Sequence, residues 1–421
     1  MAPKQKKEAP KKQVIKKEVE ATKKEEVAPA IIEPVTKSDS VEGDYNDLVK
    51  RDPSVFQKLE YNPSGKPISE DIKSALLNYK KAVRLPTIIS TLIMLLTIGL
   101  VFASMIILFI KVSENNPIKI ILFSLTAVFL VAAFVFSRIF SKKKTLFTSE
   151  YLKKYETLVN GETLSNINVK DIQLSVAGKI DDQDVIRTHY FATINDIHSR
   201  GITEGKRNNK NIRCGELAVL IPPVTFTEAN KLPTKYLNLE GKEVEVTNPE
   251  IEEVSQAASP LLFKKQQEPR ETYFGIYGKL FSYDLPLDSN ESIIIAFRGG
   301  IKNTFLPNYL TGFEAIKVPG LNDNIVVYAL DISKSKKFFD KQGIELLNKV
   351  KVNDDFLSGF ISANSYGIRV GLNLSEKAMQ LPLDEKGITQ SIFDNFINPA
   401  KDLFAFVDHL EKKKKWRKKN I

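Results

Sequence analysis

LPTIISTLIMLLTIGLVFASMIILFIKVSENNPIKIILFSLTAVFLVAAFVFSRIF, residues 85–140, is the stretch on which the reading of this chain turns. Residues 86–110 carry no charged side chain, and at about 1.5 Å per residue a helix of that length spans roughly 37 Å, enough to cross a bilayer core with some tilt. The second run, 118–140, holds Lys119 and Arg138 near its ends, where long basic side chains snorkel to the headgroups. Between the two, Asn116 and Pro117 suit an N-cap and a first helical position, because proline lacks the N–H that would go unbonded there. The expected unit is a membrane helical hairpin with spans at about 86–110 and 118–140.

Basic residues orient it. Lys73, Lys80, Lys81 and Arg84 before the first span, with Arg138, Lys142, Lys143 and Lys144 after the second, outweigh Lys111 and Lys119 around the turn. The positive-inside rule then predicts a multi-pass protein of the cell membrane with both termini in the cytoplasm. Neither span has a carboxylate, histidine or lysine at mid-depth, so the hairpin reads as an anchor rather than an ion path. Gly99 with Ala103, and Ala133 with Ser137, have the small-xxx-small spacing of close helix packing.

Upstream, residues 70–84 place Ile72, Ala75, Leu76, Tyr79 and Val83 on one helical face, the last part of a juxtamembrane helical region at 44–84 that also contains the helix-start pair Asp52-Pro53. Residues 1–43 are Lys, Glu, Ala and Pro, too poor in apolar groups to offset chain ordering, and are expected to be a disordered Lys-rich tail. No signal peptide or lipidation motif is expected, since the first apolar run begins only at Leu85. The formal charge of +10 resides in the ends: nine Lys and five Glu in residues 1–30 give +4, and residues 411–421 give +6. The body between is neutral, so nucleic acid is not the expected partner. The single cysteine, Cys214, excludes an intramolecular disulfide and suits a reducing compartment.

Downstream, two soluble α+β lobes are expected, at 145–260 and 261–411, divided by a polar stretch with Pro249, Pro260 and Pro269. In the first, 149–158 reads as a helix, 185–197 as a strand, and 216–221 as an apolar run stopped by Pro222-Pro223. The second offers six strands, at 272–283, 292–298, 313–318, 325–331, 356–364 and 367–374, the last two joined by the tight turn Asn364-Ser365-Tyr366-Gly367. Helical periods follow at 336–350 and 390–410, the latter bent or split at Pro399. The class is a soluble α+β domain with a largely antiparallel sheet.

Two membrane helices, then Tyr273-Phe274-Gly275-Ile276-Tyr277-Gly278, then Val326-Val327-Tyr328-Ala329-Leu330-Asp331, and finally the hairpin at 361–374 resemble a bacterial family of two-transmembrane-helix proteins with a C-terminal cytoplasmic domain of unknown function. The resemblance covers roughly residues 75–410. It implies architecture and topology, and it transfers no catalytic residue.

Candidates for chemistry read better as structure. Cys214 beside Arg213, with His189 or His198 as a base, is weighed against a structural cysteine, which is preferred. Arg298-Gly299-Gly300 and Gly275-Ile276-Tyr277-Gly278 lack the phosphate-loop Lys and read as bends or bulges. Asp181, Asp182 and Asp184 lack a calcium-loop pattern and read as a solvated loop. No catalytic, cofactor or metal residues are assigned.

The strongest contact signal is basic. Lys412, Lys413, Lys414, Lys415, Trp416, Arg417, Lys418 and Lys419, within the tail 412–421, together with Lys142, Lys143 and Lys144, are the expected contacts to anionic lipid headgroups or an anionic partner. The resulting expectation is a membrane-anchored cytoplasmic binding or scaffold module with a protein partner. Alternatives are an integral membrane enzyme with an unrecognised site and an accessory subunit of a transport or motility assembly.

Overall fold

The computed structural model describes residues 58–109, 117–191, 194–221, 235–244, 273–299 and 312–419. The Lys-rich start, Asp52-Pro53, the turn at 110–116 and the proline-bearing stretch near residue 260 lie outside these. Two long helices, α1 (Ile68–Phe109) and α2 (Pro117–Asn166), are long and apolar enough to cross a membrane. A domain built on a mostly antiparallel sheet follows.

Helix α1 begins with Glu70 and Asp71 in its first turn, where the helix dipole favours carboxylates. Its lead-in behaves as the periodicity predicts: Ile72 and Leu76 are fully buried, each contributing about 1.5–3 kcal/mol, with Ala75 and Tyr79 against them. Pro86 sits inside α1 without ending it. Its neighbour Thr87 donates Oγ1 to the Val83 carbonyl four residues earlier (2.8 Å), an ordinary back-bond along the same turn. Between α1 and α2 the contact runs through the hydroxyls of Ser104 and Thr126, 2.8 Å apart. The close packing expected at Gly99 is not made there: Gly99 is exposed, and a Cβ on it would meet nothing within 4 Å.

Helix α2 is longer than the sequence suggests. It passes through Ser141, Lys142, Lys143 and Lys144 to Asn166, absorbing the separate helix expected at 149–158. Lysine is a good helix former, and Thr145 and Thr148 return their hydroxyls to the carbonyls of Ser141 and Lys144, so nothing in this polar segment stops the helix.

The strands are β1 (Lys58–Glu60), β2 (Lys170–Ser175), β3 (Asp196–Arg207), β4 (Lys210–Ile221), β5 (Tyr236–Leu237), β6 (Glu243–Val244), β7 (Tyr273–Tyr283), β8 (Ile293–Phe297), β9 (Glu314–Ile316), β10 (Ile325–Ala329), β11 (Phe356–Asn364) and β12 (Gly367–Leu374). They form one sheet in the order β1-β2-β3-β4-β7-β12-β11-β8-β10-β9-β5-β6, antiparallel except where β5 meets β9. Strands from both sides of residue 260 therefore share a sheet, through the long β4–β7 pairing. The six strands read from the last third are all present, and β11 and β12 have the expected bounds. At their turn Asn364 Oδ1 accepts from the Tyr366 N–H, and Gly367 takes the positive φ of 125° that glycine permits.

One expectation fails in the first half. Among the described residues of 185–197 only Asp196 and Ile197 are in a strand: Asp181 accepts from the Gln183 N–H and starts a short helix, α3 (Asp182–Ile186), and β3 begins only at Asp196. Capping chemistry outweighs the β-branched content there. The remaining helices are α4 (Ile332–Ser335), α5 (Lys341–Lys349), α6 (Glu376–Met379) and α7 (Gln390–Lys419). Pro399 does not split α7, whose Phe396, Ala400, Leu403 and Phe404 are buried on both sides of it.

The sheet has two apolar faces. The soluble ends of α1 and α2, with α7, cover one face over Cys214, Phe281, Ile361 and Val370. The segment containing α3 covers the other, where Tyr190 stacks on Phe360 with centroids 4.0 Å apart above Leu217, Leu280 and Ile294.

Candidate functional site

On the α3-covered face, the ends of β2, β3 and β4 enclose a concavity of about 470 Å³ lined by Asp171, Gln173, Glu204, Gly205, Lys206, Asn211, Ile212, Arg213 and Asp284. Strand register puts its side chains there. Gln173 pairs with Glu204, Glu204 with Arg213, and Lys206 with Asn211, so all point to one face. Two devices shape the rim. The β3–β4 turn uses Asn208 and Asn209 at φ 50° and 61°, the left-handed pair that fits a two-residue hairpin. In β2 the pairing shifts between Lys170 and Gln173, and Asp171 stands there at φ 53°, turned out of the ladder. The lining is polar and of both signs, with three carboxylates and two cationic groups.

Behind this concavity a polar row crosses the sheet beneath α3. Arg213 on β4 pairs with Ser282 on β7, Ser282 with Arg369 on β12, and Arg369 with Ser362 on β11. Asp184 of α3 closes on the row: Oδ1 lies 2.7 Å from Arg369 Nη2 and Oδ2 lies 3.2 Å from Arg213 Nη2. Arg369 is only 2 % exposed and Asp184 3 %, so each would be strongly destabilising without the other. Arg213 also reaches toward Asp284 at 3.9 Å, which links the buried pair to the open concavity. Ser362 and Asn364 donate to the carbonyls of Thr188 and Arg187, fixing the chain that follows α3. The expected solvated acidic loop is therefore corrected: Asp184 is a buried ion-pair partner, Asp181 a helix cap.

On the opposite face a second charged group joins α2 to the sheet. Arg200 Nε lies 2.9 Å from Glu156 and its Nη2 2.5 Å from Glu216, while Lys279 sits 3.9 Å from Glu216 and hydrogen-bonds Asn160. Burial pushes the Glu156 carboxyl up to about 7 despite the attraction of Arg200. A third group pins α7: Arg207 donates to the Ile167 carbonyl (2.8 Å) and to Asp408 (2.7 Å), and Asn208 donates to Glu411.

The residues singled out by sequence do not converge. Lys142, Lys143 and Lys144 are exposed on α2 directly after its apolar half. The tail continues α7: Lys412 is exposed, Lys413 pairs with Asp340, and Lys414 donates to the Pro286 carbonyl. Lys415, Trp416, Arg417, Lys418 and Lys419 extend the same helix, with their side chains outside the described structure. The Asp408–Glu411 turn of α7 lies beside Ile167, past the far end of α2, so Lys144 and the start of the tail are separated by about 33 Å of helix. Cys214 is fully buried on the α7 side, and burial pushes its thiol up to about 12. His189 lies over the other face between Phe313 and Tyr366, and burial, then Arg369, lowers its pKa. The two do not form a nucleophile–base pair. Gly275 is the extra residue of a bulge where β4–β7 pairing shifts, and a Cβ on Gly299 would collide with the Leu357 carbonyl, so Gly275 and Gly299 have structural reasons to be glycine. Among the described residues no group of three or more metal-binding side chains occurs.

Sequence reasoning missed Arg369 and misread Asp184 as part of a solvated loop. A signal was present: Arg369 is the one charge in the apolar run 367–374, and a lone charge on a strand buried on both faces needs a partner. Comparison with protein-family models, with curated proteins and with solved structures found no match for the chain.

Proposed function

We propose that the chain is a membrane-anchored binding module: α1 and α2 cross the bilayer as a hairpin, both ends and the sheet domain lie on the cytoplasmic side, and the concavity beside Arg213 receives a charged segment of a protein partner. The observation that carries the reading is the concavity itself, in which carboxylates and cations stand in register on rigid strands backed by the Asp184–Arg369 pair. Fixed charges of both signs favour register-specific recognition of a polar segment, because a mismatched partner meets like charges. Lys142, Lys143 and Lys144, next to the apolar half of α2, are the side chains best placed for anionic headgroups, each contributing about 1 kcal/mol.

Affinity isolation of the intact protein from membranes tests the binding reading. Lys206→Glu with Asp171→Lys should remove a partner that Lys73→Glu retains, and an unchanged partner set overturns it. Alkaline carbonate extraction tests the anchor, since a spanning hairpin stays with the membrane pellet and release into the supernatant rejects it.

A further inference from the structure

The arginines buried in or against the sheet, Arg200, Arg207, Arg213 and Arg369, each have a carboxylate partner at 3.2 Å or less. Arg298 is different. It follows β8 on the α3-covered face and is partly buried, its Nε is shielded without a hydrogen-bond partner, and no carboxylate of the described residues lies within ion-pair distance. Burial lowers its pKa, and its electrostatic neighbours are the hydroxyls of Tyr236 and Tyr328. Tyr328 is 4 % exposed, and its hydroxyl too is shielded without a partner. A shielded guanidinium N–H and a shielded phenol O–H, both donors with nothing to receive them, are each costly if left so.

The surroundings narrow the class of acceptor. Register places Tyr328 between Ile294 of β8 and Ala315 of β9, and Tyr236 follows on β5, so only a small alanine side chain stands between the two rings. Ala296, next to Phe360, is the residue of β8 on this face nearest Arg298. Tyr190, stacked on Phe360, is a further neighbour of Tyr328. The donors thus sit among aromatic rings and small residues, Arg298 four strands and Tyr328 five strands from Arg213, a lateral spacing of about 19 and 24 Å. We infer that Arg298 and Tyr328 form a second binding site, for a small oxyanion, carboxylate or phosphate, carried on an apolar ligand. The guanidinium meets two oxygens of such a group through its planar fork, the Tyr328 hydroxyl donates to one of them, and the rings of Tyr236 and Tyr328 flank the apolar remainder.

The test uses the full chain in nanodiscs of zwitterionic lipid, with benzoate and inorganic phosphate as probes replacing chloride at constant ionic strength. The melting temperature is read together with the nitrogen–proton resonance of arginine Nε. At least one probe should raise the melting temperature and move one arginine Nε resonance saturably. Arg298→Gln should abolish both effects, and Tyr328→Phe, which keeps the ring, should weaken the apparent affinity about tenfold. If Arg298→Gln does not fold, Tyr328→Phe and the Nε resonance of the native chain decide. Failure of both probes to move that resonance, or an undiminished response in Tyr328→Phe, overturns the inference. Nanodiscs containing anionic lipid separate the sources: an Arg298-dependent shift without soluble probe assigns the oxyanion to a headgroup, and a shift only with probe assigns it to a free ligand.

Discussion

Replacing Glu156 by glutamine should flatten the pH dependence of folding between about pH 4.5 and 7. Glu156 is enclosed between α2 and the sheet, and burial, opposed by Arg200 and reinforced by Glu216, raises its carboxyl from an ordinary 4.5 to about 7. The folded chain therefore keeps a proton over a range in which the unfolded chain has released it. Stability from this group is fully present below about 4.5, falls as pH rises through that window, and levels above about 7. At about 1.4 kcal/mol per pH unit, the window is worth on the order of 3 kcal/mol. Glutamine fills the same space and cannot titrate, and Arg200 retains Glu216 at 2.5 Å as its counter-charge. Urea unfolding of the full chain in micelles, followed by tyrosine fluorescence at pH 5, 6, 7 and 8, measures both proteins. Because part of the window lies below pH 5, the native chain should lose about 2.5 kcal/mol relative to Glu156→Gln across that series. Parallel stability curves would refute the assignment of this proton to Glu156.

Other outcomes follow from single contacts. Arg369→Met leaves Asp184 buried without its nearest partner and should cost about 3–5 kcal/mol in urea unfolding, most of it recovered when Asp184→Asn is added. Gly161→Ala forces a methyl into the ring of Tyr61, so it should loosen β1 from the sheet and speed proteolysis ahead of Tyr61, while the same change at Gly99 should do neither. Cys214 should resist maleimide at pH 8 in the folded chain and react on unfolding; rapid labelling under native conditions would show that it is not enclosed as described. Changing Lys142, Lys143 and Lys144 to glutamate should weaken co-sedimentation with anionic vesicles, whereas Lys413→Glu should chiefly unpair Asp340 and show itself in stability.

The parts of this fold that depend on neighbours in sequence were legible there. The two apolar runs appear because a span needs nothing but uninterrupted apolar length, and the β11–β12 hairpin because Asn364 and Gly367 carry the turn chemistry locally. Long-range features were hidden. Pairing of β4 with β7 joins strands separated by residues 222–272, and Arg369 finds Asp184 across 185 positions, distances at which one sequence carries no register. The strand expected at 185–197 failed for a local reason that was visible, the capping aspartate at position 181. The continuity of α2 was obscured by its own chemistry, since exposed lysines on a helix resemble a polar break.

That continuity has a mechanical consequence. From residue 140 to Asn166 the helix that leaves the apolar segment runs about 39 Å without a joint, and its far half is bonded to the sheet through Glu156, Asn160 and the Ile167 carbonyl. On the proposed crossing, α2 is a lever with its fulcrum at the membrane surface. A tilt change of about 10°, within the range that bilayer thickness imposes on spanning helices, would swing the far end by about 7 Å. The concavity beside Arg213 and the proposed Arg298 site would move with it as one body, so on that crossing membrane thickness would set where these sites are presented.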